Sequence, residues 1–173
     1  GVYFEVSDIG PEDTLVLQDS MTTREYTILP LAYDGNDQVN DLISGTTAAN
    51  TPVDVLACDL DNCATVSTTA DENGVFTADF STQVDIAPGS DGTIRAMDAD
   101  GDATRVDWYL QPSEFVVNPD DNAVWGMHWP PNTEITVTRG SDSVSTISNE
   151  FGEFSIKPDE LGMDIQPGEF ITI

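Results

Sequence analysis

The residues with the clearest chemical potential are the three aspartates of "DADGD", Asp98, Asp100 and Asp102, which alternate with other residues and enclose Gly101. Carboxylates at this spacing offer hard oxygen ligands to calcium, and a glycine among them permits a tight loop. An EF-hand loop counted from Asp98 needs Gly at its sixth position and Glu at its twelfth, where this chain has Ala103 and Tyr109. What Asp100-Gly101 does match is a hairpin turn that requires positive φ. The stretch is read first as a turn joining two strands and second as a calcium site built from Asp98, Asp100 and Asp102, calcium being the one candidate cofactor.

Other chemistry is sparse. His128 is the only histidine, in "GMHWPP", where a packing role beside Trp129 and two prolines is expected rather than catalysis. Carboxylate pairs for glycoside hydrolysis carry no information when 32 acids are present, since some pair always sits at the required separation. No phosphate-binding glycine loop and no histidine pair occur, so the chain is read as non-enzymatic. Trp125 and Trp129 bracket "WGMHW" and, with Tyr109, are candidates for stacking on the sugar rings of surface glycans. The alternative is that Trp125 plugs a core and Trp129 covers the end of a sandwich. Cys58 and Cys63 flank "DLDN" between two alternating runs, where a disulfide across a hairpin tip is expected in preference to a free or metal-bound pair. Such a bridge implies an oxidising, extracytoplasmic setting.

Composition narrows the partners. A balance of 32 acidic against 5 basic residues gives a net charge of −27, which repels nucleic acid and anionic lipid. No apolar run approaches the length of a membrane-spanning helix, so membrane insertion is not expected. A salt- or calcium-rich surrounding would screen the self-repulsion.

The elements that position these residues follow from an internal repeat. "TREYTILPLAYDGNDQVNDLISG" (23–45) lies over "TRVDWYLQPSEFVVNPDDNAVWG" (104–126), with Gly45 matching Gly126 at an offset of 81. Asn50-Thr51 then corresponds to Asn132-Thr133, Gly74 to Gly152, Phe76 to Phe154, and "VDIAPGSDGTI" to "MDIQPGEFITI". In this alignment Trp125 stands over Ser44, and Trp129 over Ala48 or Ala49. Period-two alternation marks strands around Val53–Ala57, Ala64–Thr68, Phe76–Phe80, Ile94–Ala96, Val106–Trp108, Ile135–Val137 and Phe154–Ile156. Short strands recurring every eight to twelve positions are the profile of a Greek-key β-sandwich.

The stretches "DLISGTTAANTPVDVLACD", "TTADENGVFTADF", "VDIAPGSDGTI" and "NAVWGMHWPPNTEITVT" resemble the bacterial Ig-like repeats of long secreted and cell-surface proteins. The resemblance covers nearly all the chain and implies an all-β protein of tandem Ig-like Greek-key sandwiches, serving as stalk, spacer or adhesive module.

The expected organisation is 1–29 as the last strands of a preceding repeat or a donor segment, 30–109 as one repeat, and 110–173 as a second repeat lacking its final strand. The apolar, alternating ends are the expected subunit contacts, through Val2, Phe4 and Val6 at one end and Phe170, Ile171 and Ile173 at the other. They would pair with another copy of the chain or with neighbouring repeats of one array. The expectation is therefore a structural or adhesive component of an extracellular filament, stalk or surface layer. A carbohydrate-binding module and a calcium-dependent adhesin are the alternatives.

Overall fold

The computed structural model describes residues 9–157, 162 and 164–173. Val2, Phe4 and Val6 lie outside them. The described residues form fourteen strands and no helix, so the protein is all-β. The chain divides into two compact units, residues 1–86 with 91–109 and residues 87–90 with 110–173.

Unit 1 starts with a hairpin of β1 (Thr14–Gln18) and β2 (Thr23–Thr27). A three-stranded sheet follows, with β3 (Leu31–Asp37), β4 (Leu42–Thr47) and β7 (Val75–Asp79) in the order β3-β4-β7. A four-stranded sheet is ordered β6-β5-β8-β9, from β5 (Pro52–Cys58), β6 (Cys63–Thr69), β8 (Asp91–Met97) and β9 (Ala103–Tyr109). Every pair is antiparallel. The chain crosses from one sheet to the other between β4 and β5, β6 and β7, and β7 and β8, which is the Ig-like Greek key.

Alternation decides which side chains form the core. Ile43, Phe76 and Ala78 from one sheet and Val53, Val55, Ala57, Ile94, Ala96 and Trp108 from the other are buried. Apart from Leu56, the outward residues between them are polar, as the period-two pattern requires. Tyr33 stacks on Trp108 with ring centroids 6.0 Å apart, which ties β3 to β9.

Unit 2 contains β10 (Glu114–Asn118), β11 (Ala123–Met127), β12 (Glu134–Arg139), β13 (Asp142–Ile147) and β14 (Phe154–Ile156). They form a sheet ordered β10-β11-β14 and a β12-β13 hairpin. This is the same plan as β3-β4-β7 and β5-β6. The equivalence extends to register, since Gly45 faces Phe76 and Gly126 faces Phe154. It also reaches individual hydrogen bonds. Asp41 Oδ1 accepts the Ile86 N–H at 2.9 Å, and Asn122 Oδ1 accepts that of Ile165 at 2.7 Å. Asp41 and Asn122 both hold positive φ, 56° and 48°.

In unit 1, Leu56 pairs with Thr93 of β8; in unit 2, a bridge joins Thr138 to Thr172 in the matching position. Ile171 and Ile173 flank that bridge and pack against their own unit's core, whereas Phe170 is exposed.

The two glycines are required by the close approach of backbone and ring. A Cβ at Gly45 would stand 2.3 Å from both the Ala32 carbonyl and the Phe76 ring, and one at Gly126 would stand 2.3 Å from the Phe154 ring. Gly45→Ala and Gly126→Ala should each destabilise their own unit by about 1–3 kcal/mol, the usual range for overpacking a filled interior. Urea unfolding checks this, with Val39→Ala, at a position 89 % exposed, expected to stay within about 0.5 kcal/mol of wild type.

Candidate functional site: the carboxylate turn, the aromatic positions and the bridged tip

The "DADGD" stretch is the turn between β8 and β9. Asp98 N–H donates to the Asp102 carbonyl at 3.0 Å, and Gly101 carries a φ of 91°, which closes the turn without a steric penalty. Asp98 Oδ1 accepts the N–H of Asp100 at 3.2 Å and that of Asp102 at 2.9 Å. One carboxylate oxygen from each of the three aspartates lies within 4.8 Å of the others, so Asp98, Asp100 and Asp102 are the residues that would hold a cation.

A cationic group from the chain itself already engages this cluster. The Arg24 guanidinium, on β2, donates to Asp102 Oδ2 at 2.9 Å and to Asp100 Oδ2 at 3.2 Å. The closeness of the Asp98 and Asp100 carboxyls holds Asp98 below the ordinary carboxylate range and pushes Asp100 above it. Beside the ion pairs, Tyr26 Oη lies 2.6 Å from Thr104 Oγ1, which also accepts the Leu29 N–H at 2.9 Å. These contacts fix the β1–β2 hairpin, whose strands otherwise expose Leu15, Val16 and Leu17. The sequence signals at Arg24 are its scarcity, as one of 5 basic residues in the chain, and its place over Arg105 at the start of the repeat alignment, and neither points to the β8–β9 turn.

The aromatic candidates occupy separate places. Trp125 alternates with buried Val124 and Gly126 and is half-buried on the other face of β11, beside a shallow recess lined by Met127, Asn149, Glu153 and Ser155. Trp129 packs on the core side instead. Its indole N–H donates to the Glu114 carbonyl at 3.1 Å, and its ring meets Phe154 edge-on at 5.9 Å. The two indoles therefore do not form one stacking platform. Tyr109, at the end of β9, is 52 % exposed.

His128 corrects the alignment as well as its own expected packing role. Thr47 N–H donates to the Gly74 carbonyl, and Trp129 N–H to the Gly152 carbonyl, so Trp129 is the counterpart of Thr47 rather than of Ala48 or Ala49. His128 is a one-residue insertion ahead of it, in a left-handed conformation at φ 62°. It is exposed, with Nδ1 3.9 Å from Glu114 Oε1, and its carbonyl accepts the Ser113 hydroxyl at 2.9 Å.

Cys58 and Cys63 form a disulfide, with Cα atoms 4.1 Å apart, between directly opposed residues that close the β5–β6 ladder. The tip between them is turned by Asp59 Oδ1, which accepts the N–H groups of Asp61 at 2.7 Å and Asn62 at 2.6 Å. Those N–H groups hold the Asp59 carboxyl below its usual range. Leu60 projects from this tip at 95 % exposure.

No protein-family description and no curated protein sequence matches the chain. Among solved structures, the chain is similar to a tetra-tandem repeat in the extending region of a large adhesion protein, at 18 % identity and a TM-score of 0.36, over 78 % of this chain and 43 % of that one. It is also similar to the chicken CNTN1 FN1–FN3 domains, at 10 % identity and a TM-score of 0.28, over 90 % of this chain and 66 % of that one. The chain thus spans less than two thirds of the length of either structure. The fold assignment rests on the strand pairing described above.

Two outcomes follow from these contacts. Arg24→Gln or Asp102→Asn should speed proteolysis and amide exchange across residues 14–27 several-fold, while Asp61→Asn leaves both unchanged. Replacing both cysteines with serine should cost unit 1 about 2 kcal/mol, the chain-entropy value for so short a loop. Wild type measured in reductant should give the same loss in urea unfolding.

Proposed function

We propose that the protein is a non-enzymatic structural and adhesive segment of a tandem array of Ig-like sandwiches, working outside the cytoplasm as part of a filament, stalk or surface layer. The observation that carries this reading is the recurrence of one strand plan with the same register and the same glycine-under-aromatic contacts in both units. A domain repeated at this fidelity serves length and presentation more naturally than a single catalytic centre. The Cys58–Cys63 bridge supports an oxidising location. The charge of −27 supports a surface that stays soluble without nucleic-acid or lipid partners.

Neighbouring repeats, or further copies of the same chain, are the proposed partners. Between the two modes of assembly, the Thr138–Thr172 bridge favours continuation of an array. It places Ile171 and Ile173 against their own unit's core rather than leaving them for donation to a neighbouring subunit. Calcium at Asp98, Asp100 and Asp102 stays a secondary proposal, because any ion there competes with Arg24 for the same oxygens.

Electron microscopy of the native material tests the array. Strings of small β domains with density continuing beyond both ends of this segment are expected. A monodisperse monomer that ends in capped, ordered termini would contradict the proposal.

A further inference from the structure

The outward face of the unit 1 four-stranded sheet carries a charge arrangement that the fold does not require. In the strand register Asp54 faces Arg95 and Arg95 faces Arg105, so a row Ser67–Asp54–Arg95–Arg105 crosses β6, β5, β8 and β9. Like charges directly opposite on adjacent strands are destabilising. A chain with only 5 basic residues against 32 acidic ones nevertheless places two arginines in that relation.

The partners sharpen the point. Arg24 pairs with Asp102 at 2.9 Å, Arg105 with Asp107 at 2.8 Å, and Arg139 with Asp142 at 3.3 Å. The Arg95 side chain is exposed and makes no hydrogen bond or ion pair among the described residues. Asp54, which faces it, accepts the Ser67 hydroxyl at 2.6 Å instead. A guanidinium left unpaired amid so many carboxylates is available to a ligand.

The rest of the face indicates which ligand. Thr65, Ser67 and Thr93 contribute hydroxyls, Asp107 is already held by Arg105 at 2.8 Å, Asp91 stands opposite Tyr109, and Tyr109 exposes its ring on the same side of β9 as Arg105, about 13 Å further along at the usual strand rise. A protein partner requires an apolar centre, and this face offers one exposed aromatic ring surrounded by polar groups. A sugar requires a ring to stack on and hydroxyl partners around it, and a free guanidinium adds a bidentate site for a carboxylate.

We propose that this face binds a short glycan bearing a single carboxylate, with Arg95 holding the carboxylate and Tyr109 stacking on a neighbouring sugar ring. The net charge of −27 repels polyanions, so a long polyuronate does not fit. The proposal deepens the adhesive reading above and rests on it, but array formation and glycan binding have separate readouts, so either can fail alone.

Titration of the full 173-residue chain followed by amide NMR tests it. The probes are a disaccharide ending in glucuronic acid, its uncharged glucose counterpart, and acetate. Shifts at Thr93, Arg95 and Tyr109 are expected with the acidic disaccharide, at an affinity about tenfold above the neutral one, the size of one charge-assisted hydrogen bond. Arg95→Gln should reduce the acidic sugar to the neutral value with the β5 and β8 spectrum retained, and Tyr109→Ala should weaken both sugars. The absence of shifts, an equal response to both sugars or to acetate alone, or an Arg95→Gln variant that binds as wild type would each overturn the proposal. A concentration-dependent shift of the same amides without sugar, lost in Arg95→Gln, would also overturn it and assign the face to a second copy of the chain.

Discussion

The architecture depends on a phenyl ring lying directly on backbone. Phe76 occupies the space that a side chain at Gly45 would fill, and Phe154 does the same at Gly126. This contact sets β7 against β4 and β14 against β11 and brings the ring into the core of each unit. With the middle strands so placed, the facing hairpins need only alternate to bury Val53 and Val55 in unit 1 or Ile135 and Val137 in unit 2. The interior is filled by Ile, Val, Phe and Ala side chains packed against one another, so a single wrongly placed methyl group is felt there.

Charge is handled by the turns. Asp19, Asp59 and Asp71 each accept two backbone N–H groups, and those donors hold all three carboxyls below their usual range. In unit 2 Asn149 makes the same pair of bonds that Asp71 makes in unit 1, which shows that the oxygen rather than the charge shapes the turn. The excess negative charge is then free to serve solubility. The few arginines stand out against it, Arg24 as a tie between hairpin and turn and Arg95 as an unpaired group on an open face.

Much of this could be read in the sequence because period-two alternation and internal self-similarity report on backbone geometry. Val53, Val55 and Ala57 are buried as their alternation implies, and "DADGD" is the turn that Asp100-Gly101 indicates. The match of Gly45 to Gly126 was visible, but its reason was not, since a ring over a glycine leaves no local trace. The offset error at Trp129 arose because a single inserted residue, His128, occupies a left-handed conformation that histidine does not announce. The partner of Arg24 lies 78 residues away, and Arg95 meets Arg105 only once the strand register is known. Such pairings depend on long-range topology, which composition and spacing do not encode.

One sandwich plan is built twice in this chain. Residue-resolved amide hydrogen exchange along the full chain checks this. Two protected groups are expected at equivalent positions, Ile43, Gly45 and Val55 in unit 1 and Val124, Gly126 and Val137 in unit 2, each opening with its own free energy. Protection confined to unit 1, with the amides of residues 123–139 exchanging as freely as an unfolded chain, would contradict it.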